Sequence, residues 1–160
     1  MERVNRILKH ENYRYHINQN KKGERERLFC KHDMSHNLDV ARIAVIINMK
    51  EQLGIDEEVI YAAALLHDVG KHMQYKENVP HEVGGVRIAP MILEDCGFTS
   101  EESEMILNAI SNHRNEEVKD EPNLNGLLYR ADKLSRPCFA CEMSAECNWK
   151  GEKKNSLLKY

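Results

Sequence analysis

Histidines and aspartates occupy corresponding places in five segments of this chain, each beside or within an apolar, helix-forming stretch. A lone histidine in such a place is more often a core or capping residue than a ligand. A set of imidazoles and carboxylates spread over five segments is hard to explain by packing alone. Buried carboxylates are costly unless they are paired or bound to metal, and helical bundles build metal sites from side chains on facing helices. The pattern therefore predicts a metal site made of His36, His67, Asp68, His81, His113 and Asp132.

The stretch "AAALLHDVGK", Ala62 to Lys71, shows how these residues are presented. Apolar residues run up to the adjacent pair His67-Asp68. The apolar run predicts a helix anchored in the core that delivers both side chains at its end, as a preorganised site requires.

The elements that position the candidate ligands are predicted to be helices, because apolar residues recur at helical spacing and no alternating run bounded by hairpin turns occurs. The first core helix is expected from about Ser35 to Leu53, with Gly54 ending it. The next is expected to start at Asp56, a typical N-cap residue, and to end at Gly70. The sequence thus predicts an all-α fold.

Three further helices and an extension complete the prediction. "HEVGGVRIAPMILEDCGF" reads as a helix that Pro90 kinks or divides in two. Thr99 and Glu102 have the spacing of a capping box, and the last helix is expected to end at Pro137. Residues 1–28 are polar and predict one early helix on an exposed face.

The ligand pattern resembles the HD-domain superfamily of metal-dependent phosphohydrolases. Its histidine, His-Asp pair and distant aspartate correspond to His36 in "HNLDVARIA", His67-Asp68 in "ALLHDVGK" and Asp132 in "YRADKLSR". The resemblance implies a single helical bundle. It divides the chain into an N-terminal helical extension (1–28), an HD domain (29–137) and a Cys-containing tail packed on the same domain (138–160).

The two remaining histidines narrow the resemblance to a binuclear branch. His81 in "HEVGGVRIA" and His113 in "ISNHRN" are similar to segments of the bacterial dinucleoside tetraphosphate hydrolases. The resemblance implies two divalent ions, one held by His36, His67 and Asp132 and the other by His81 and His113, with Asp68 as the bridge. Mixed imidazole and carboxylate ligation suits iron, manganese, zinc or nickel better than calcium or magnesium.

The resemblance implies hydrolysis of a small phosphorylated substrate, with a nucleotide as the expected partner, through a metal-bound hydroxide. Asp68 and Lys71 are the expected catalytic residues, and Lys71, Arg114 and Arg136 are expected to bind phosphate. A solvated surface position is the competing interpretation for the two arginines. Two other functions stay open: a di-iron oxygenase of the same superfamily, which uses the same ligands, and a non-catalytic nucleotide or redox sensor.

A few polar residues beside the ligands have less definite roles. The second His-Asp pair, His32-Asp33, lacks a preceding apolar run and is interpreted as a helix start or a support for the ligands. His72 and Glu82 are candidate supports, with simple surface exposure as the alternative.

A cysteine array follows the last helix. Cys138, Cys141 and Cys147 have C-x2-C-x5-C spacing, which is typical of thiolate ligation of zinc or an iron-sulfur cluster. Cys30 is the expected fourth member, because it precedes His36 by the same six residues by which Cys138 follows Asp132. Free thiols in a loop are the alternative.

Composition bounds the protein class. A chain of 160 residues with 41% hydrophobic and 31% charged residues is typical of one soluble globular domain. The formal charge of -3 argues against binding duplex nucleic acid. No apolar run approaches the roughly 20 residues that span a bilayer, and the start lacks a secretory apolar centre. A cytoplasmic monomer or homodimer with reduced thiols and no membrane contact is expected.

Overall fold

The computed structural model describes residues 1–160, apart from the side chain of Glu152. The described chain is helical and contains no strand, which confirms the predicted all-α class. Its helices are α1 (Glu2–Lys9), α2 (Glu11–Gly23), α3 (Met34–Glu51), α4 (Glu57–Leu66), α5 (Lys71–Glu77), α6 (His81–Cys96), α7 (Ser100–Asn112) and α8 (Leu124–Leu134). Short 3-10 turns lie at 116–118, 138–140 and 151–153. None of the described helices combines the length and apolar character needed to cross a membrane.

Helix α4 lies at the centre of the fold. Its apolar side chains are buried on all sides, against α3, α7 and α8. Ala62, Ala63 and Ala64 are fully buried beside Leu65 and Leu66, so small residues let the neighbouring helices approach closely. A helix that is apolar all round is a core helix. Its C-terminal end, which carries the His-Asp pair, is therefore held from every direction.

The predicted helix starts agree with the structure. The Asp56 carboxylate accepts from the backbone N–H groups of Glu58 and Val59. Thr99 and Glu102 form the predicted capping box at α7. Asp33 caps α3 by accepting from the N–H of His36, so the helix-start interpretation of Asp33 is correct. These local hydrogen bonds satisfy N–H groups that have no partner within the helix.

The N-terminal region differs from the prediction of one exposed helix. It forms two helices separated at His10, whose Nδ1 accepts from the N–H of Asn12. Val4, Ile7 and Tyr13 are buried in the common core. A few large apolar residues within a polar segment were enough to bury one side of each helix. The average polarity of residues 1–28 does not predict this burial.

Two other local predictions need correction. The sequence predicted no helix between the one that ends at Gly70 and the one that begins at His81, but Lys71–Glu77 form α5. Pro90 does not divide α6, which runs from His81 to Cys96. The lost backbone hydrogen bond is tolerated because Ala89, Ile92 and Leu93 are fully buried and hold both halves of the helix against the core.

The turn between α4 and α5 crosses the first turn of α6 at very short range. A Cβ on Gly70 would lie 2.5 Å from both the carbonyl carbon of Gly84 and the nitrogen of Gly85. Only glycine permits this approach. The contact sets the distance between the His67-Asp68 pair and the start of α6.

Candidate metal centre

The six candidate ligands lie at converging ends of helices. His36 is in the first turn of α3, His81 begins α6, and Asp132 lies in the last turn of α8. The other three follow α4 or α7 directly, and they are His67, Asp68 and His113. All six are buried, with at most 7% of any residue exposed. Burial of so many ionisable groups in one place requires a strong compensating interaction.

The structure arranges these residues in two groups of three. The first group consists of His36, His67 and Asp132, and the second of Asp68, His81 and His113. Within each group the ligand atoms lie within 4.8 Å of one another. The division is the one that the sequence predicted.

Asp68 turns one carboxylate oxygen toward each group. Its Oδ2 lies 3.0 Å from Nε2 of His67 and 3.7 Å from Nε2 of His36. Its Oδ1 lies 3.2 Å from Nε2 of His81 and 3.9 Å from Nε2 of His113. This geometry is the one that a bridging carboxylate needs.

Each of the four imidazoles is oriented through its Nδ1 atom. The Nδ1–H of His67 donates to the carbonyl of Ala64 at 2.7 Å, and that of His113 donates to the carbonyl of Ile110 at 2.6 Å. Nδ1 of His81 lies 2.5 Å from Oε1 of Gln74. Because Gln74 Oε1 can only accept, the proton is assigned to Nδ1 of His81.

Ser135 supports the fourth imidazole in the same way. Its hydroxyl donates to the carbonyl of Asp132 at 2.8 Å, so its oxygen is left to accept from Nδ1 of His36 at 3.1 Å. All four histidines therefore direct the Nε2 lone pair into the cluster. Metal-bound histidines in proteins are held in this way.

The residues fit a pair of metal ions, since lone pairs face one another across the cluster. Nε2 of His81 and Nε2 of His113 are 3.0 Å apart. Nε2 of His67 and Oδ1 of Asp68 are buried without a hydrogen-bond partner among the described residues. Facing lone pairs repel unless a cation or a proton lies between them. The donor set suits a divalent transition metal in each group.

The pKa values of these groups agree with a site that attracts cations. Burial lowers the pKa of His81 to about 2 and that of His113 to about 4, so both are neutral near pH 7. Burial opposes ionisation of Asp132, but Lys133 and Arg136 hold its pKa well below the usual range. Burial also acts against protonation of His67, but the charges of Asp68 and Asp132 raise its pKa. His81, His113 and Asp132 are thus in the forms that bind metal, whereas His67 would have to release a proton when a metal binds.

A cavity of about 460 Å³ opens onto both groups and is lined by many cationic side chains. These are Arg27, Lys71, Arg114, Lys133, Arg136 and Lys154. Lys71 is buried, and its Nζ lies 3.3 Å from Nδ1 of His81. Such a wall favours an anionic ligand.

The two predicted arginines behave differently. Arg136 is buried, so its competing surface interpretation is wrong, and Nη2 lies 3.1 Å from both Asp132 Oδ1 and His36 Nε2. The i,i+4 spacing on α8 brings the guanidinium onto the carboxylate. The Arg114 side chain is 52% exposed and pairs with Glu82 at 3.3 Å, at the outer edge of the cavity.

His32 is the residue whose role was most underestimated from the sequence. It is buried, lines the cavity, and places Nε2 4.0 Å from Oδ2 of Asp68. The buried carboxylate of Glu24 contacts its Nδ1 and accepts from its backbone N–H at 2.7 Å and from the Tyr75 hydroxyl at 2.6 Å. The four-residue spacing between His32 and His36 was the available signal. Gln74 and Ser135 carried no such signal.

His72 does not support the cluster directly. It is buried, so the exposed alternative is wrong, and its Nε2 lies 2.8 Å from Nδ1 of His16 rather than near a ligand. Its backbone N–H donates to Asn20, whose amide donates in turn to the carbonyl of Asp68. His72 therefore helps to hold the Asp68 backbone through Asn20.

Cys30, Cys138, Cys141 and Cys147 all line the same cavity as the ligands. Among the described residues, however, no three of their sulfur atoms lie within 4.8 Å of one another. The four thiols are neighbours around one space rather than an assembled ligand set. Cys96 is buried in the core, away from these four thiols.

Comparison with known proteins places these features in a family. The model of the HD domain family matches residues 34–136. An uncharacterized protein of Clostridium beijerinckii is 47% identical over 160 residues, covering 100% of both chains.

Several longer relatives match only part of this chain. Ribonuclease Y of Oleidesulfovibrio alaskensis is 34% identical over 107 residues, which are 67% of this chain and 18% of that protein. Ribonuclease Y of Acetivibrio thermocellus is 34% identical over 102 residues, 64% of this chain and 17% of that protein. The chain thus spans less than a fifth of these ribonucleases. No solved structure gives a significant match.

Proposed function

The chain belongs to the HD domain family, and from that premise we propose that it is a binuclear metal-dependent phosphohydrolase acting on a nucleotide or another small phosphate ester or anhydride. The family as a whole is one of metal-dependent hydrolases, and the clustered histidines and aspartates suit a metal site. The number of ions, the nucleotide and the roles of individual residues belong to the proposal.

The observation that carries the proposal is the shared position of Asp68 between two three-residue groups. His36, His67 and Asp132 would hold one divalent ion, and His81 and His113 would hold a second, with Asp68 contributing one oxygen to each. When bound, a pair of such ions supplies Lewis acidity to a phosphate oxygen and to an attacking water.

The protein's own residues supply the charge and the orientation. Lys71 and Arg136 are buried at the cavity wall, where their cations can neutralise phosphate oxygens more strongly than surface cations can. Asp132 already pairs with Arg136 and with Lys133, whose Nζ lies 2.6 Å from Oδ2. Substrate phosphate would therefore meet a cationic wall whose members are held in place by a carboxylate.

His32 lies beside Asp68 at the cavity wall and is expected to face the reacting phosphate. Glu24 and Tyr75 fix its ring so that Nε2 points toward the cavity. A ring fixed through Nδ1 can hold a substrate oxygen or water at Nε2 in one orientation, which is the advantage of a preorganised site.

The size and lining of the cavity favour a small substrate. A volume of about 460 Å³ is within the range of small-ligand pockets. Phe29 and Trp149 add aromatic surface to its wall, on which a nucleobase could stack. The name of the longer relatives, ribonuclease Y, supports a nucleotide phosphate as the substrate class.

Asp68→Ala tests the proposal. We expect the histidine and aspartate groups of the wild-type protein to bind two divalent ions per chain, and the protein to release phosphate or nucleoside monophosphate from members of a nucleotide panel. The variant should lose at least one ion and all hydrolysis, because both groups depend on the same carboxylate. Full metal content in the variant would refute the bridging role.

Asp39→Ala is the matched control, since this exposed aspartate pairs only with Arg42 on the surface of α3. It should retain both ions and full activity. Oxygen-dependent turnover that requires iron, without hydrolysis of any phosphate ester, would replace the proposal with the oxygenase alternative. Nucleotide binding without turnover in fully metallated protein would replace it with the sensor alternative.

A further inference from the structure

Four thiols from two distant parts of the chain meet at the cavity wall. Cys30 lies in the irregular segment between α2 and α3, whereas Cys138, Cys141 and Cys147 follow α8. All four are half-buried free thiols. We propose that these four cysteines bind one Zn²⁺, at a site separate from the histidine and aspartate groups and of a different chemical type.

The Cys138–Cys141 turn has the form that a zinc site uses. The N–H of Cys141 donates to the carbonyl of Cys138 at 3.3 Å, closing a 3-10 turn over 138–140. This turn places two cysteines three residues apart on the same tight bend. A C-x2-C pair of this kind supplies half of the ligands in many tetrahedral zinc sites.

A side-chain hydrogen bond already joins the two cysteine-bearing segments. Nη1 of Arg136 donates to the carbonyl of Lys31 at 3.4 Å, joining the end of α8 to the residue after Cys30. Nε of Arg27 donates to the carbonyl of Cys30 at 2.8 Å. Cys30 is thus held on the side of the cavity from which the Cys138–Cys141 turn extends.

The C-terminal tail needs a source of stability other than burial. Among the described side chains of residues 137–160, none is buried, and Leu157 and Leu158 are 76% and 74% exposed. Ordering each residue costs about 1–2 kcal/mol of backbone entropy, which a segment without a core must offset in another way. Small segments of this kind are commonly stabilised by a structural metal.

Hydrogen bonds hold the tail at separate points around the cysteines. The amide of Asn155 donates to the carbonyls of Lys133 and Arg136 at 2.7 and 2.9 Å. Lys154 reaches back to the hydroxyl of Ser144 at 3.1 Å. These contacts return the end of the tail to α8, so the segment carrying Cys141 and Cys147 forms a closed loop beside Cys30.

Zinc binding would draw this loop inward. Four thiolates around Zn²⁺ have Zn–S distances of about 2.3 Å and sulfurs about 3.8 Å apart. No three of the described thiols lie within 4.8 Å of one another, so at least part of the set would have to move. The nearby cations Arg27, Arg136 and Lys154 would offset the negative charge of a four-thiolate site. Closure would fix the cavity wall that carries Phe29 and Trp149.

Metal analysis of the full chain tests the proposal. In an Asp68→Ala background, in which the histidine and aspartate groups are impaired, Co²⁺ added to the apoprotein should still produce the intense visible and near-ultraviolet bands of tetrahedral thiolate ligation. Zn²⁺ should displace it at one ion per chain and release protons from the thiols. Replacing both Cys138 and Cys141 with serine should abolish the thiolate bands and remove one zinc ion per chain.

Cys96→Ser is the matched control, because this thiol lies in the core outside the cavity. It should leave the thiolate bands unchanged. Trypsin provides a second readout, since zinc should slow cleavage at Lys150, Lys153 and Lys154 in the wild type but not in the double variant.

Two results would overturn the zinc site: Co²⁺ spectra without thiolate bands, or an iron and sulfide content that identifies a cluster instead. Neither result depends on hydrolysis. If the protein hydrolyses no phosphate ester, the thiolate bands should still appear. If the cysteines bind no zinc, the histidines and aspartates should still bind their ions.

Discussion

The close crossing of the α4–α5 turn and α6 predicts that Gly70→Ala separates the two halves of the metal centre. Gly70 has an ordinary φ of -84°, so alanine fits the local backbone. Its Cβ, however, would lie 2.5 Å from two backbone atoms of α6, where ordinary contact begins at 3.4 Å. Backbone atoms cannot rotate away as a side chain can. The start of α6 must therefore move by about 0.9 Å, the difference between those distances.

The displacement acts on one ligand group in particular. His81 begins α6, and its Nε2 lies 3.2 Å from Oδ1 of Asp68. We expect metal affinity at the Asp68, His81 and His113 group to fall by about 10- to 100-fold, a loss typical of disturbed ligand positioning. His36, His67 and Asp132 lie on α3, at the end of α4 and on α8, respectively, and none lies on α6, so the other ion should bind with nearly unchanged affinity. Overpacking should also lower the free energy of unfolding by about 1–3 kcal/mol.

Calorimetric titration of the apoprotein with Mn²⁺ or Zn²⁺, together with thermal unfolding, measures both effects. For a chain of this size, each kcal/mol should lower Tm by roughly 2–4 °C. Gly54→Ala is the matched control. Its φ of +70° makes alanine strained by about 1–2 kcal/mol, but nothing lies within 4 Å of the new Cβ. Wild-type affinity for both ions in Gly70→Ala, or equal loss of both, would show that the crossing does not set the spacing of the groups.

Two further predictions concern residues that support the cluster. Gln74→Leu removes the acceptor for His81 Nδ1, so metal titrations should show an affinity for the ion at His81 that is about 10- to 100-fold lower. Gln19 lies outside the cavity, so Gln19→Leu should leave this affinity unchanged. Glu24 supplies the pH-dependent prediction: burial alone would raise its pKa, but hydrogen bonds from His32 and Tyr75 hold the pKa at about 2 in the fold, below the ordinary value of 4.5. Its carboxylate therefore stabilises the fold above pH 4.5, and that contribution is lost as the pH falls toward 2. Urea unfolding should show that the stability difference between wild type and Glu24→Gln shrinks by on the order of 3 kcal/mol as the pH falls from 4.5 to 2. A stability difference that does not depend on pH would contradict the assigned pKa.

Much of the local structure could be predicted from the sequence. The capping residues Asp56 and Thr99 begin their helices as expected. The same reasoning failed for residues 1–28 and for α5. Those segments are polar on average, and the few side chains that the rest of the protein buries, such as Ile7 and Tyr13, decide their structure.

The identities of the candidate metal ligands were also a property of the sequence. Capping signals and helical periodicity act within a few residues, so they place a histidine or aspartate at a helix end without reference to the rest of the fold. His67 and Asp68 follow their apolar run directly, and any helix built from it must present them together.

Only the tertiary structure decided how these side chains meet. The orientation of the Asp68 oxygens, the burial of Arg136 and the approach of His32 depend on the positions of helices that are far apart in the chain. Those positions follow from side-chain packing and from close contacts such as Gly70 against α6. Local sequence spacing specifies which groups are available. The distances between those groups, on which their chemistry depends, are set by the packed core, because packing sums many weak interactions between distant residues.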